Sequence, residues 1–138
     1  MAYLQENYVE VLASYPMEKW KPLLDFIEIL ESRSTNDEEE QISVTRFYES
    51  DLLRQFLDVV HHKTPIMIVF DWVNWQKGKD FIHNLNSDLS ALSIPDLCKI
   101  ITLLVRADRF NGGLLQSALD KGLVLKLLLE IKKKIVQN

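Results

Sequence analysis

The stretch SIPDLCKIITLLVRADRFNGG, residues 93–113, decides the fold because it holds the clearest helix of the chain and signals for both of its ends. Ser93 is a residue type that caps helix N-termini, since its hydroxyl can accept a bond from a free first-turn N–H. Pro95 suits the first turn, where a missing N–H is tolerated. Gly112-Gly113 then interrupts the pattern. The stretch predicts a helix over residues 94–110.

Asp108 is the residue of this helix that departs from its apolar pattern. At about 100° per residue, Asp108 lies on the same face as the apolar residues Leu97 and Leu104. Arg106 lies on the opposite, polar face, and Arg109 lies at the boundary between the two faces. A carboxylate on an apolar face is costly unless it is paired or hydrogen-bonded, so we expect Asp108 to have a specific partner.

Three arrangements can satisfy Asp108. Its carboxylate can accept N–H bonds from residues 113–115 and so cap the next helix across the turn. It can pair with an arginine, either Arg109 or one from another helix such as Arg46 or Arg54. It can also face a pocket and hold a ligand. The first two arrangements are structural, and structural networks commonly bury charges.

The remaining sequence also favours helices. The chain has only four glycines and four prolines, and strand-type alternation is scarce. We therefore predict an all-α fold, a compact orthogonal or irregular bundle of five to seven helices. Besides the helix at 94–110, apolar spacing and end signals predict helices at residues 3–13, 17–31, 45–62, 71–84, 114–121 and 123–136.

The segment FDWVNW, residues 70–75, predicts the start of one of these helices. Asp71 is the expected N-cap. Phe70 before the cap and Trp75 inside the helix have the spacing of a hydrophobic staple. Trp72 lies at the start of the predicted helix. The aromatic side chains of this segment either fill the core or form a cradle for a ligand or peptide. The preceding run IMIVF is expected to be extended.

Length and composition fit one globular domain, residues 1–138, with an acidic loop at 32–41. Residues 1–41 hold ten Asp and Glu against three Lys and Arg, whereas the rest of the chain holds ten against thirteen. The sequence pI is near 5.4, and phosphate binding needs clustered basic residues, so we expect no nucleic-acid partner.

Several features predict a soluble, cytoplasmic protein. The N-terminus lacks the basic start and unbroken apolar core of a signal peptide. The single cysteine, Cys98, excludes an internal disulfide. The apolar segment at residues 123–136 is interrupted by charges and is too short to span a bilayer. Its lysines, Lys132 to Lys134, complement a helix C-terminus, so we expect no membrane partner.

The motifs resemble a family. FDWVNWQKG at residues 70–78 and LCKIITLLVRADRFNGGLLQSALDKGLVLKLLLEIKK at residues 97–133 resemble small bacterial proteins that share a domain of unknown function. The most specific pieces are Asp71-Trp72 with Trp75, and the RADRF segment at 106–110 followed by Gly113. The resemblance implies a compact helical domain and a bacterial origin, and it implies no activity, substrate or catalytic residue.

Other motifs are weaker. Asp58 and His62 have the spacing of two metal ligands on one helix face, but no third ligand accompanies them and a solvated helix end is the simpler interpretation. No phosphate-binding glycine loop or nucleophile elbow is present, so no cofactor is expected. Residues 114–128 have the spacing of a helix-turn-helix, but apolar residues stand where base-reading side chains belong.

Two functional hypotheses remain. The first is a non-enzymatic interaction module that binds a protein partner or a second copy of itself through a helix face. The second is a small-molecule site for an anionic ligand, or a weakly marked enzyme, and its candidate residues are Asp71, Trp72, Arg106, Asp108 and Arg109. The second hypothesis requires these residues to meet in one concave pocket, whereas the first expects them dispersed beside exposed apolar residues.

Overall fold

A computed structural model describes residues 3–35, 51–83, 88–110 and 112–137. Within these ranges all regular structure is helical apart from one isolated β-bridge, so the predicted all-α class is confirmed. Residues 51–63 form one helix, α3, whose last turn, Val59–Lys63, is a π-helix. The other helices are α1 (Tyr8–Ser14), α2 (Met17–Thr35), α4 (Gln76–His83), α5 (Ile94–Asp108), α6 (Leu114–Asp120) and α7 (Leu123–Gln137).

The centre of the fold is α5, which contacts α1, α4, α6 and α7. Ser93 caps it as predicted, because its hydroxyl oxygen accepts the Asp96 N–H at 3.2 Å. From residue 97 to residue 105, every side chain except that of Lys99 is buried. The helix ends at Asp108, two residues before the predicted end. A helix buried on nearly its whole circumference fixes the positions of its neighbours.

The first helix begins later than predicted, at Tyr8 instead of residue 3. Leu4, before this helix, is extended because it pairs with the segment that leads to α4, and a turn at residues 6–7 follows it. The Leu4 N–H donates to the Met67 carbonyl at 2.7 Å, and the Val69 N–H donates to the Leu4 carbonyl at 2.8 Å. The prediction of an extended run at residues 66–70 agrees with this bridge between Leu4 and Ile68.

Two other helix ends differ from the predictions. The helix α2 reaches Thr35, so the first four residues of the predicted acidic loop are helical, and the rest of that loop lies outside the described residues. The predicted N-cap role of Asp71 is wrong, because α4 begins five residues later at Gln76. The Asp71 carboxylate instead accepts the Asn74 side-chain amide at 2.8 Å, within a turn that precedes α4.

Thr102 holds the extended segment against α5. Its hydroxyl donates to the Cys98 carbonyl at 2.9 Å, and the same oxygen accepts the Ile68 N–H at 3.2 Å. Thr102 is completely buried, and so are Ile66, Met67 and Ile68 to within 1%. A buried backbone N–H needs a partner, and here a side chain of α5 supplies it.

We expect Thr102→Val to lower the free energy of unfolding by about 1–3 kcal/mol, because the isosteric side chain leaves the buried Ile68 N–H without an acceptor. Urea unfolding followed by circular dichroism measures this loss. Thr102→Ser keeps the hydroxyl and removes one methyl group, so it should cost only about 1 kcal/mol. A Thr102→Val variant as stable as the wild type would contradict this role of the hydroxyl.

Candidate functional site: an aromatic and basic face

Three residues at the outward side of α5 organise a surface that we call the aromatic–basic face. Lys99 and Arg106 are seven residues apart, which places them within about 20° of each other on a helical wheel, and Phe110 follows in the turn after α5 ends. Aromatic rings from the N-terminal segment and from the turn before α4 meet this side of α5. These rings belong to Tyr3, Tyr8, Phe70, Trp72 and Trp75.

The Lys99 ammonium lies among three of these rings. Its Nζ atom is 5.1 Å from the ring centre of Tyr8, 5.3 Å from that of Phe70 and 5.9 Å from that of Trp75. Phe70 and Trp75 also contact each other edge to face, with ring centres 5.4 Å apart. The π-face of each ring attracts the cation, so the three rings stabilise the half-buried Lys99 ammonium. The predicted contact between Phe70 and Trp75 exists, although Asp71 does not cap a helix beside it.

Arg106 occupies the middle of the face. Its guanidinium carbon lies 5.6 Å from the ring centre of Tyr3. The Tyr3 hydroxyl is 3.3 Å from His61 Nε2, and His61 Nδ1 is 2.8 Å from the Leu57 carbonyl. In the tautomer that donates from Nδ1 to the Leu57 carbonyl, His61 Nε2 accepts a hydrogen bond from the Tyr3 hydroxyl. These contacts connect Arg106 to α3 through the N-terminal segment.

The end of the face nearest α6 is open to solvent. The rings of Trp72 and Phe110 stack with centres 6.1 Å apart and planes at 30°. Trp72 is half-buried, whereas Phe110 is 82% exposed. Val73 is also exposed, at 53%, and the Arg109 side chain is exposed. This end therefore presents two stacked rings, an aliphatic side chain and a cation to solvent.

Asp108 has the first of its three predicted partners. Its Oδ1 atom accepts the Leu115 N–H at 3.0 Å, in the first turn of α6. Gly113, with φ of 94°, precedes that helix and has no side chain with which to cap it. The carboxylate of one helix thus caps the next across the turn, which explains why an apolar helix face contains an acid.

Four of the five residues of the small-molecule hypothesis contact different groups, and the fifth, Arg109, is exposed. Trp72 contributes to the aromatic–basic face, as does Arg106, whereas Asp108 faces α6 and Asp71 faces Asn74. Three pockets of about 480, 420 and 320 Å³ in the described surface are lined by other residues. Sequence reasoning missed Lys99 as a site residue. The seven-residue spacing from Lys99 to Arg106 was the available signal.

The remaining reactive side chains are placed as follows. Cys98 is completely buried, and burial raises the pKa of its thiol, so it stays protonated. His62 Nδ1 lies 3.5 Å from the Asp58 carboxylate at an exposed helix end. Among the residues that the structure describes, no three His, Cys, Asp or Glu side chains are grouped so that they can hold a metal ion.

These features define a class, a small all-helical protein with stacked aromatic rings and cation–π contacts beside its central helix. The chain belongs to a family of unknown function (DUF6508), whose model matches residues 15–137. No curated protein and no solved structure matches the chain. In the described ranges, none of the helices combines the length and the apolar composition needed to cross a membrane.

Removing the cap of α6 should weaken the fold. We expect Asp108→Ala to lower the free energy of unfolding by about 1–2 kcal/mol, because the Leu115 N–H loses its acceptor. Asp108→Asn keeps a side-chain oxygen and should lose less. Arg109→Ala changes an exposed neighbour and should stay within about 0.5 kcal/mol of the wild type. Chemical denaturation of the four proteins tests the order, and equal stability of Asp108→Ala and Arg109→Ala would refute the cap.

The attraction between Lys99 and its nearest ring can be isolated by a double-mutant cycle. We expect Lys99→Met and Tyr8→Leu to be coupled by about 0.5–2 kcal/mol, because each substitution removes the same cation–π contact. Lys99→Met combined with Tyr15→Leu is the control, since Lys99 does not contact the Tyr15 ring, and should be additive within about 0.5 kcal/mol. Thermal and urea unfolding supply the four stabilities of each cycle. Additivity in both cycles would show that the rings only fill space.

Proposed function

We propose that this protein is a non-enzymatic interaction module that docks a protein partner on the solvent-open end of the aromatic–basic face. The observation that carries the proposal is Phe110, a phenylalanine 82% exposed and stacked on Trp72. An exposed Leu or Val is common on protein surfaces. Exposure of a large aromatic ring that is stacked on a second ring costs more free energy, because more apolar area contacts water. Burial of both rings against a partner recovers that cost.

The residue types at this end favour protein recognition. Tryptophan and arginine are enriched among the residues that dominate binding energy, and aromatic residues are enriched at interfaces in general. Trp72 is already held by its contact with Phe110, so little side-chain freedom is lost when a partner binds. Arg109 stands at the rim, where an exposed cation influences partner choice more than affinity. A partner with an apolar anchor and acidic neighbours fits this surface.

The alternative hypothesis, an anionic small-molecule site or weakly marked enzyme at Asp71, Trp72, Arg106, Asp108 and Arg109, stays a prediction and receives less support. The Asp108 carboxylate is occupied by the Leu115 N–H, and the Arg106 guanidinium lies against Tyr3. An anion at this place would meet Arg109 in open solvent, where a single exposed charge contributes little.

We further propose that the module is a single helical domain of the bacterial cytoplasm that binds neither nucleic acid nor membrane. The resemblance of its motifs supports the bacterial origin. The net charge of −4 disfavours binding to phosphate backbones. The lone Cys98 is a buried thiol, which fits a reducing compartment. Self-association through the same rings is compatible with this proposal, because an identical surface can serve both copies.

The test compares capture of partners by immobilised wild-type protein, Phe110→Ala and Ile29→Ala from an extract of the source cells, with quantitative mass spectrometry as readout. We expect one or more proteins, or further copies of this chain, to be retained by the wild type and lost at least tenfold with Phe110→Ala. A central aromatic anchor contributes on the order of 2 kcal/mol, which corresponds to about thirtyfold in affinity.

Ile29→Ala is the matched control, because Ile29 is 43% exposed on α2 and lies outside the aromatic–basic face. It should retain the same partners as the wild type. Sedimentation of the purified proteins separates self-association from capture of another protein. Equal retention by all three proteins, or a wild-type protein that retains nothing and remains monomeric, would contradict the proposal.

A further inference from the structure

A second region of the surface has the properties of a ligand site and lies outside the aromatic–basic face. It is a groove of about 480 Å³ between α1, α2, the start of α5 and the end of α7. Side chains of α1, together with Trp20, Ile94, Pro95 and Ile135, form its apolar walls. Lys134 is the single charged residue among those that line it. An apolar groove of this volume with one charged group is typical of a small-molecule site.

The ammonium of Lys134 is fixed at the groove by two contacts. It donates to the Ser90 carbonyl at 2.8 Å and lies 3.4 Å from Glu130 Oε2. An ammonium group has three N–H donors, and the Ser90 carbonyl accepts one of them, so at least one remains for a ligand. The Lys134 side chain is only 20% exposed, which means that the group is held in place and not freely solvated. A ligand oxygen that reaches it loses little entropy in ordering the lysine.

The charged group that faces the groove is the Lys134 ammonium, since Glu130 does not line it. Glu130 Oε2 lies 3.4 Å from that ammonium and offsets part of its charge. Ile94 and Pro95 belong to the first turn of α5, where the partial positive charge of the helix N-terminus stands beside the Asp96 carboxylate. Recognition of a ligand oxygen at this groove therefore depends on the N–H groups of Lys134.

We propose that this groove binds a small amphipathic carboxylate, with its carboxylate on Lys134 and its apolar body between α1 and Trp20. A carboxylate accepts the remaining Lys134 N–H as a charge-assisted hydrogen bond. The apolar walls remove the rest of the ligand from water. The site shares no residue with the aromatic–basic face, so the inference does not depend on the proposed protein-docking function.

Octanoate, used below its micellar concentration, is the probe, and the Trp20 indole is the reporter. Two-dimensional NMR resolves the indole N–H signals of the three tryptophans of the full chain. We expect octanoate to shift the Trp20 signal saturably and to leave the signals of Trp72 and Trp75 in place, because those rings lie on the aromatic–basic face. Octanol has the same alkyl chain without the charge and should bind at least tenfold more weakly.

Variants then test where the carboxylate and the alkyl chain of octanoate bind. Lys134→Met should weaken octanoate at least tenfold, whereas Lys133→Met, its exposed neighbour, should change affinity less than twofold. Because Lys134→Met leaves Glu130 unpaired, the double variant Lys134→Met/Glu130→Gln repeats the test without a buried uncompensated charge. Ala13→Phe, at an exposed position of the groove wall on α1, should block binding by filling the groove.

Four outcomes would contradict parts of this proposal. A Trp20 signal that does not move over the whole octanoate range would overturn the site. Equal affinity for octanol and octanoate would overturn the carboxylate class and leave an apolar groove without charge recognition. Equal weakening by Lys133→Met and Lys134→Met would show a diffuse effect of charge on α7, and full binding by Ala13→Phe would place the ligand elsewhere.

Discussion

The fold depends on the burial of α5 over nearly its whole circumference. Between residues 97 and 105 only Lys99 escapes burial. Because so little of this helix is left for water, its polar groups are stabilised by partners from other segments. Thr102 accepts the Ile68 N–H, the rings of three aromatic residues surround the Lys99 ammonium, and Asp108 accepts the Leu115 N–H. These contacts fix the extended segment, the turn before α4 and the start of α6 relative to α5.

The sequence predicted features whose partners lie close by in the chain. The hydroxyl of Ser93 and the carboxylate of Asp108 accept N–H groups three and seven residues away. Helical geometry indicated the Ser93 cap directly, whereas the cap by Asp108 was one of three arrangements that the sequence left open. The prediction of a helix from residue 3 was wrong because pairing with a distant segment outweighed local helix propensity, and the predicted N-cap role of Asp71 was wrong because Asp71 and Asn74 form a turn before α4 begins. Leu4 pairs with residues 67–69, which draws the segment before α1 out of the helical pattern.

The aromatic–basic face was only partly predictable for the same reason. Trp72 and Arg106 stood out as residue types, but their contacts with Phe110 and Tyr3 join segments that are more than thirty residues apart. A helical wheel shows that Lys99 and Arg106 share a side of α5. It cannot show which segment covers that side, because coverage depends on how the N-terminal residues and the turn before α4 pack.

The contacts that each aromatic ring makes within the fold limit where the proposed partner can bind. The rings of Tyr8, Phe70 and Trp75 already face the Lys99 ammonium, so a partner would have to displace that cation to reach them. The stack of Trp72 and Phe110 faces solvent instead, at the point where α5 has ended and the buried core no longer constrains the chain. In the proposed docking, the binding energy therefore concentrates on the α6 end of the face, while the Lys99 end keeps the supporting turn rigid.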